Sequence, residues 1–133
     1  METEKLMLVQ RELDLLNKHL NASNLSDYNK KRLLTELKSA IVVKDDELPE
    51  DVICIESEVE LQEINTHQKF KFQIVLPSDA NMQMKRVSVF APVAVAILGY
   101  RVGSRVQWEM PNGIKTFEVL KVTRKSESLI ESK

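Results

Sequence analysis

The sequence predicts an α+β protein in which a short antiparallel helical hairpin, residues 1–47, precedes an antiparallel sheet domain with one short helix, residues 48–133. Three observations predict this fold. Leucines recur at helical spacing in the N-terminal third of the chain. The apolar spacing then changes to every second residue, as in strands with one solvated face. A charged segment that contains a proline separates the two regions.

The first helix is predicted from a coiled-coil seam, whose apolar positions recur at alternating intervals of three and four residues. These positions are Leu6, Val9, Leu13, Leu16 and Leu20. Polar and charged residues such as Glu12 are expected on the opposite, solvent-exposed face. The helix is expected to stop at residues 21–27, which are rich in residues that cap helices or turn the chain.

A second helix is predicted after that turn, with Leu34, Leu37 and Ile41 on its seam. Each helix leaves an apolar stripe that must be buried, and a short connection makes the two helices antiparallel neighbours. Arms of about 18 residues would form a rod about 27 Å long. Residues 44–51 are expected to form a solvated hinge, because they carry a run of charges and Pro49 ends the second helix.

The sheet domain is predicted from alternation of apolar and polar residues. Val59, Leu61 and Glu63 alternate with polar residues in the first of its strands. The apolar positions of the next strand are Phe70, Phe72, Ile74 and Leu76.

A short helix is predicted between the third and fourth strands of this domain. The third strand covers residues 87–90, and Pro92 then stands at the first helical position, where its missing N–H costs nothing. The apolar residues 93–98 continue the helix. Gly99 follows, as expected for the left-handed residue just past a helix end.

The fourth strand is predicted at residues 105–110, and its partner at residues 115–122. Between them, residues 111–113 read Pro-Asn-Gly, a strong turn signal that makes the two strands a hairpin. Residues from Ser126 onward are expected to form a frayed tail.

The composition excludes several classes of function. The net charge of −1 gives no overall attraction to DNA, RNA or an anionic membrane. Aromatic residues make up 5% of the chain, too few for a base-stacking surface. No apolar run approaches the roughly 20 residues of a membrane span, and the N-terminus is acidic, unlike a secretory signal. The sequence therefore predicts a cytoplasmic protein without sequence-specific nucleic-acid binding or membrane association.

No side-chain pattern in the sequence predicts catalysis. The one cysteine, Cys54, lies in an apolar run, which predicts a buried and inert thiol. His19 and His67 are isolated from each other and from Cys54, without metal-ligand spacing. Only three glycines are present, so no glycine-rich phosphate loop exists. We therefore expect no catalytic residue, no metal site and no cofactor.

Residues 87–99 resemble the signature of the C-terminal domain of GreA/GreB transcript-cleavage factors. In that signature, a strand ends in Ser-Pro or Ala-Pro and is followed by a small-residue helix and Leu-Gly. The resemblance continues in register through Val102–Gly103, Val106, Trp108–Glu109, Pro111–Gly113 and Phe117–Leu120. Ala91 before the proline, and the segment Leu48–Val52, look more like the branch of regulators of nucleoside diphosphate kinase (Rnk).

The resemblance implies an FKBP-like fold for residues 48–133 and binding to RNA polymerase at the rim of its secondary channel. By analogy with the family, the contact would involve Ala91, Pro92 and Val93. In Gre factors, two acids of an Asp-Leu-Ser-Glu motif at the hairpin tip help hold a catalytic Mg²⁺ in the polymerase. The corresponding positions here are Asn24 and Asp27, so one carboxylate is replaced by an amide. The resemblance therefore implies a non-catalytic factor that competes with Gre factors without stimulating transcript cleavage.

Three alternatives stay open at this point. Asn24 is also suited to cap the second helix, with Asp27 at its third position near the positive end of the helix dipole. An FKBP-like fold would also suit a prolyl isomerase, which needs an apolar pocket lined by aromatic residues. Finally, the hairpin could serve as an interaction module that dimerises through its seam, so a monomer and a weak dimer are both compatible with the sequence.

Overall fold

The computed structural model describes residues 5–22 and 25–124, so the tail predicted from Ser126 lies outside the described residues. The described strands are β1 (Met7–Val9), β2 (Ile41–Val43), β3 (Glu58–Glu63), β4 (Lys69–Val75), β5 (Arg86–Ser88), β6 (Arg105–Met110) and β7 (Gly113–Thr123). The described α-helices are α1 (Gln10–Ala22), α2 (Asp27–Lys38) and α3 (Pro92–Ile97). None of these helices is long and apolar enough to cross a membrane.

Five strands form one sheet in the order β5-β4-β3-β7-β6, which confirms the α+β class. Neighbouring strands are antiparallel except β4 and β5, which run parallel. The predicted all-antiparallel sheet is therefore wrong at this edge. Residues 76–85 connect the two strands through the 3-10 turns Pro77–Asp79 and Met82–Met84. This long connection returns the chain alongside β4 in the same direction, whereas a tight hairpin would have reversed it.

The predicted alternation is confirmed in β3, where every second side chain is buried, and the strand predicted at residues 105–110 is confirmed as β6. Val59 and Leu61 face the core, and so does Glu63, whose carboxylate accepts a hydrogen bond from the Thr66 hydroxyl. Two residues of the predicted apolar face of β4 are exceptions. Phe70 is 37% exposed, and Leu76 stays exposed because β4 ends at Val75. Alternation identifies a face only while the strand continues.

The predicted start and end of α3 are confirmed. Pro92 stands at the first helical position, and Gly99 lies just past the end with a φ of +90°. Such a positive φ is readily adopted by glycine. The predicted turn after β6 is confirmed as well, because Met110 pairs with Gly113 across a two-residue loop.

Residues 7–9 form a strand and not the predicted first turn of a helix. β1 pairs in parallel with β2, and Met7 lies opposite Ile41 in the register. Leu6 and Leu8 are both buried, which is the two-residue period of a strand. The three-residue interval between Leu6 and Val9 is also that of a helical seam, but the helix begins only at Gln10.

The two hairpin helices are shorter than predicted. α1 has 13 residues and α2 has 12, so at about 1.5 Å per residue they are about 20 and 18 Å long. The apolar face of α2 also differs from the prediction. Leu33 and Leu37 are buried, whereas Leu34 is exposed and Ile41 belongs to β2.

One apolar core extends across the helices and the sheet. Leu16 of α1 and Leu33 of α2 belong to the same buried cluster as Val59, Leu61 and Trp108 of the sheet. The helices therefore bury their apolar faces on the sheet domain as well as on each other. Whether residues 1–47 and 48–133 behave as separate folding units stays a prediction.

The linker, residues 44–51, is attached to the body and is not the predicted solvated hinge. Its first half forms the 3-10 turn Asp45–Glu47, and Leu48 is buried. The Arg124 guanidinium donates to the carbonyl oxygens of Leu48 and Pro49, at 3.1 and 2.6 Å. The charged segment is thus held in place by hydrogen bonds from the Arg124 side chain to two of its main-chain carbonyls.

Gly99 lies at the junction between the N-terminal strands and the sheet domain. Its carbonyl accepts a hydrogen bond from Met7 N at 3.1 Å, and its N–H donates to Ile53 O at 2.9 Å. Leu6 O in turn accepts from Ile41 N at 2.8 Å. Main-chain hydrogen bonds therefore connect β2, β1, Gly99 and residue 53 in one ladder.

Replacing Gly99 with alanine is expected to destabilise the protein much more than replacing Gly103. A Cβ at Gly99 would lie 2.9 Å from Leu8 Cδ2 and 3.1 Å from Leu6 Cβ. Gly103 has nearly the same φ, +92°, but nothing within 4 Å of its Cβ position. The conformational cost of a side chain at this positive φ, about 1–2 kcal/mol, is common to both variants, and overpacking adds about 1–3 kcal/mol at Gly99 alone.

Urea denaturation of the two variants measures this difference directly. Equal losses of unfolding free energy in Gly99→Ala and Gly103→Ala would show that β1 does not press against Gly99.

Candidate functional site

The three residues implied as a docking surface, Ala91, Pro92 and Val93, lie together at the turn between β5 and α3. Ala91 is the residue before the helix, and its N–H donates to Ser88 O at 2.9 Å. Pro92 is exposed, while Ala91 and Val93 are half-buried. The structure thus presents a small apolar patch on a turn that its own hydrogen bonds keep closed.

The rest of α3 forms a rigid base for this turn. Ala94, Val95, Ala96 and Ile97 are at most 5% exposed. Small side chains let the helix approach the sheet closely, and α3 contacts β6. Movement of the turn would therefore require repacking of the core.

His19 packs against the same turn. Its ring stacks on Phe90 with centroids 4.9 Å apart and planes inclined by 13°. Burial lowers the pKa of His19 below its ordinary value, because burial disfavours the charged imidazolium. No local pattern in the sequence predicts this contact, since the partners come from α1 and from the turn before α3.

The predicted hairpin tip is described only in part. Asn24 lies outside the described residues. Asp27 is the first residue of α2 and is exposed. Ser26 caps the helix, because its Oγ accepts a hydrogen bond from Asn29 N at 3.2 Å. The prediction that Asn24 caps α2 with Asp27 at the third position is therefore wrong, and Asp27 stands at the first position.

Asp27 faces solvent at the positive end of the α2 dipole, an interaction of about 0.3–1 kcal/mol at an exposed site. Within residues 5–22 and 25–124, no three acidic, histidine or cysteine side chains are grouped as metal ligands would be.

Asn29 attaches the start of α2 to the edge of the sheet. It is 5% exposed, and its amide Nδ2 donates to Glu109 O at 2.9 Å while its Oδ1 accepts from Glu109 N at 2.8 Å. This pair of bonds imitates a neighbouring strand and covers the outer edge of β6. Nearby, Tyr28 donates to Gln107, and Arg32 donates to the Tyr100 hydroxyl.

Glu12 attaches α1 to the segment after the linker. It was predicted on the solvated face, but it is 1% exposed. Its Oε2 accepts a hydrogen bond from Ile55 N at 2.9 Å. Burial is the largest influence on Glu12 and raises its pKa, while the Ile55 hydrogen bond opposes that shift. The polar side chains Glu12, His19 and Asn29 therefore hold the two helices against the sheet domain.

The comparison with protein families matches residues 48–124 to the model "Transcription elongation factor, GreA/GreB, C-term". This range contains every strand of the five-stranded sheet, α3 and the turn at Ala91–Val93. The linker from Leu48 onward and Arg124 are also included.

Curated relatives carry two kinds of name. A "Transcription elongation factor GreA" of Clostridium botulinum (strain Eklund 17B / Type B) is 29% identical over 93 residues, which are 70% of this chain and 58% of the relative. A "Regulator of nucleoside diphosphate kinase" of Escherichia coli K12 is 33% identical over 97 residues, 72% of this chain and 71% of the relative. The chain thus spans a little over half the length of the GreA relative.

Solved structures show a similar arrangement. A prokaryotic transcription elongation factor GreA/GreB from Nitrosomonas europaea superposes with a TM-score of 0.67 at 26% identity, over 91% of this chain and 99% of that one. Gfh1 of Thermus aquaticus shares the fold, with a TM-score of 0.51 at 20% identity. The match covers 91% of this chain and 99% of Gfh1.

Replacing Glu12 with glutamine is expected to change how stability depends on pH. Because the folded-state pKa of Glu12 is raised above its ordinary value of 4.5, the folded protein binds this proton more tightly than the unfolded chain. The stability from this linkage is complete below 4.5 and is lost as the pH rises through the folded-state pKa. The unfolding free energy of the wild type should therefore fall relative to Glu12→Gln as the pH rises.

Urea titrations of both proteins at a series of pH values test this expectation. A difference that stays constant from acidic to neutral pH would mean that Glu12 keeps its ordinary affinity for a proton in the folded state.

Proposed function

Because the chain belongs to the GreA/GreB family of transcription elongation factors, we propose that it binds RNA polymerase and regulates transcription in the cytoplasm without catalysing a reaction itself. Two findings support this proposal. The family match covers the whole sheet domain, residues 48–124. The matched relatives carry the names of an elongation factor and of a regulator.

The proposed docking surface is the turn at Ala91, Pro92 and Val93, which would contact the rim of the secondary channel. The observation that carries this assignment is the exposed Pro92 on a turn whose base, α3, is buried. An exposed apolar residue on a rigid element loses little conformational freedom on binding. Stacking of His19 on Phe90 supports the same turn from the side of α1.

The proposed mode of action is competition with Gre factors without stimulation of cleavage. A carboxylate pair suits a hard cation such as Mg²⁺, and an amide in place of one carboxylate removes half of the negative charge. Asn24 has this effect in the sequence, and Asp27 is the carboxylate that is left. The helices of 13 and 12 residues are also short for reaching deep into a channel.

Two alternative functions, a prolyl isomerase and a self-associating interaction module, stay predictions. An FKBP-like isomerase would need aromatic side chains around an open pocket, yet Tyr100, Trp108 and Phe117 are at most 5% exposed and belong to the core. Self-association through the hairpin seam would have to use Leu34 and Ile41, which are 42% and 41% exposed. We favour a monomer, because single exposed apolar residues are ordinary on protein surfaces.

Replacing Pro92 with aspartate is expected to weaken binding to RNA polymerase by about tenfold or more, since a charge in the centre of an apolar contact costs at least about 1.4 kcal/mol. Aspartate is tolerated in the first turn of a helix, so folding should be preserved. Pro111→Asp is the matched control, because Pro111 is also exposed but lies in the β6–β7 turn.

Binding of the full chain to immobilised core polymerase at low salt measures both variants. Equal affinities for Pro92→Asp and Pro111→Asp would place the contact elsewhere. Absence of binding by the wild type at micromolar concentration would contradict the proposed function as a whole.

In a transcript-cleavage assay on a stalled elongation complex, the chain alone is expected to leave the cleavage rate unchanged. Added in excess over a Gre factor, it should slow cleavage, because both occupy the same channel. Asp27→Asn should compete as well as the wild type, and Pro92→Asp should not compete. Faster cleavage with the chain alone, abolished by Asp27→Asn, would instead make the tip a functional Mg²⁺ ligand.

A further inference from the structure

A cleft of about 410 Å³ lies between α1, the linker and the start of the sheet domain. Its walls include Leu15 of α1, Leu48 of the linker and Leu76, the residue after β4. Leu15 and Leu76 belong to neither of the two apolar clusters formed by the described residues, and Leu76 is 42% exposed. The cleft therefore presents apolar surface that the core does not use, and such surface often marks an interaction site.

The charged side chains of the cleft are already engaged within the protein. Arg11 and Asp45 pair with each other, Glu12 accepts from Ile55 N, Glu56 accepts from the Gln73 amide, and Arg124 donates to the carbonyls of the linker. An occupant would therefore be held by apolar contacts more than by charge. The volume lies within the range of about 300–1,000 Å³ found for small-ligand sites, so aliphatic side chains can enter.

The chain leaves the sheet beside this cleft. Strands β4 and β7 flank β3, and both run antiparallel to it. Glu58, the first residue of β3, lies opposite Gln73 on one side and Thr123 on the other. The ends of β4 and β7 are thus at the same end of the sheet, where Leu76 and Arg124 both line the cleft.

Arg124 is the last described residue, and its position in the cleft wall is fixed. Its guanidinium donates to Leu48 O and Pro49 O. Whatever follows Arg124 in the chain therefore starts at the cleft itself.

The residues that follow contain one apolar pair. Leu129 and Ile130 are the apolar residues of the segment 125–133, and charged and hydroxyl side chains surround them. Leu129 is five residues beyond Arg124, so its Cα can lie up to about 18 Å from that of Arg124. A tether this short gives the pair an effective concentration in the millimolar range at the cleft, so weak apolar contacts suffice.

We propose that Leu129 and Ile130 dock into the cleft of their own chain, against Leu15, Leu48 and Leu76. The segment 125–133 would then connect α1, the linker and the sheet domain through one shared apolar contact. Removal of these side chains from water supplies the driving force. The proposal replaces the expectation that residues from Ser126 onward fray, and it does not rest on the proposed function.

A second copy of the chain could offer the same apolar pair to the cleft. Docking within one chain is favoured by the position of Arg124, because a partner copy would lack the tether and would have to bind from free solution. The two modes differ in a mixing experiment, described below.

The first test compares nuclear magnetic resonance spectra of the ¹⁵N-labelled full chain with those of Leu129→Ser/Ile130→Ser. This variant changes no described residue, so the packed body is kept. We expect the amide signals of Leu15, Leu48 and Leu76 to shift, because the cleft loses its occupant. The matched control, Ser126→Ala/Ser128→Ala, alters the same segment without touching the apolar pair and should leave these signals in place.

The second test changes the cleft instead of its occupant. Leu76→Ser should release the segment, so that the order parameter of the Leu129 amide falls from above about 0.6 in the wild type to below it. Ile114→Ser is the control, since Ile114 is 51% exposed and lies near the other end of β7. It should leave the Leu129 order parameter unchanged.

The third test mixes ¹⁵N-labelled Leu129→Ser/Ile130→Ser with an excess of unlabelled wild type. We expect the labelled cleft signals to stay where they are, since the wild-type pair occupies its own cleft. Movement of these signals towards their wild-type positions would mean docking between two copies and would overturn the proposal.

Two other results would also contradict docking within the chain. One is a set of cleft signals that Leu129→Ser/Ile130→Ser leaves in place, or that the serine control moves equally. The other is a Leu129 order parameter below about 0.6 in the wild type. All three tests use the chain without polymerase, so failure here and failure of the proposed function are distinguishable.

Discussion

The placement of the helices depends on the close approach of β1 to Gly99. With no side chain at that position, the backbone of Met7 reaches the Gly99 carbonyl, and Leu6 and Leu8 enter the core on either side. Because β1 begins the hairpin and β2 ends it, both ends of the helical pair enter one hydrogen-bonded ladder with the sheet domain. The orientation of the helices is thus determined at their base, before any contact along their length.

Three further contacts attach the two helices to the sheet domain along the length of the hairpin. Glu12 holds the beginning of α1, His19 its second half, and Asn29 the beginning of α2. Each contact joins a polar or aromatic side chain to a main-chain group or ring of the sheet domain. A protein that presents its helices and the proposed docking turn from one packed body would meet a partner with little reorganisation, which favours rapid binding.

The sheet domain was largely predictable from sequence because its signals are local. Alternation marked β3, and proline and glycine marked the ends of α3. The failures have a common cause, which is dependence on distant partners. Met7–Val9 and Ile41–Val43 are strands only because they pair across the whole hairpin. Glu12 was predicted on the surface, since the backbone N–H that allows its burial lies 43 residues away. Asn29 was not singled out, since its backbone partner lies 80 residues away. The proposed docking turn was chosen by resemblance, and the contact that His19 makes beside it had no signal in the sequence.

The strand order also constrains how the protein is made. β7 is the last described strand in the chain, yet it lies between β3 and β6 in the sheet. During synthesis on the ribosome, β3 and β4 can pair early, but the open edge of β3 must wait until β7 has emerged. Such long-range pairing slows folding and exposes an unpaired edge meanwhile. The helical hairpin, whose contacts are nearer in sequence, can close sooner. Nascent chains should therefore be most prone to associate through the open edge of β3 until β7, which ends at Thr123, has emerged.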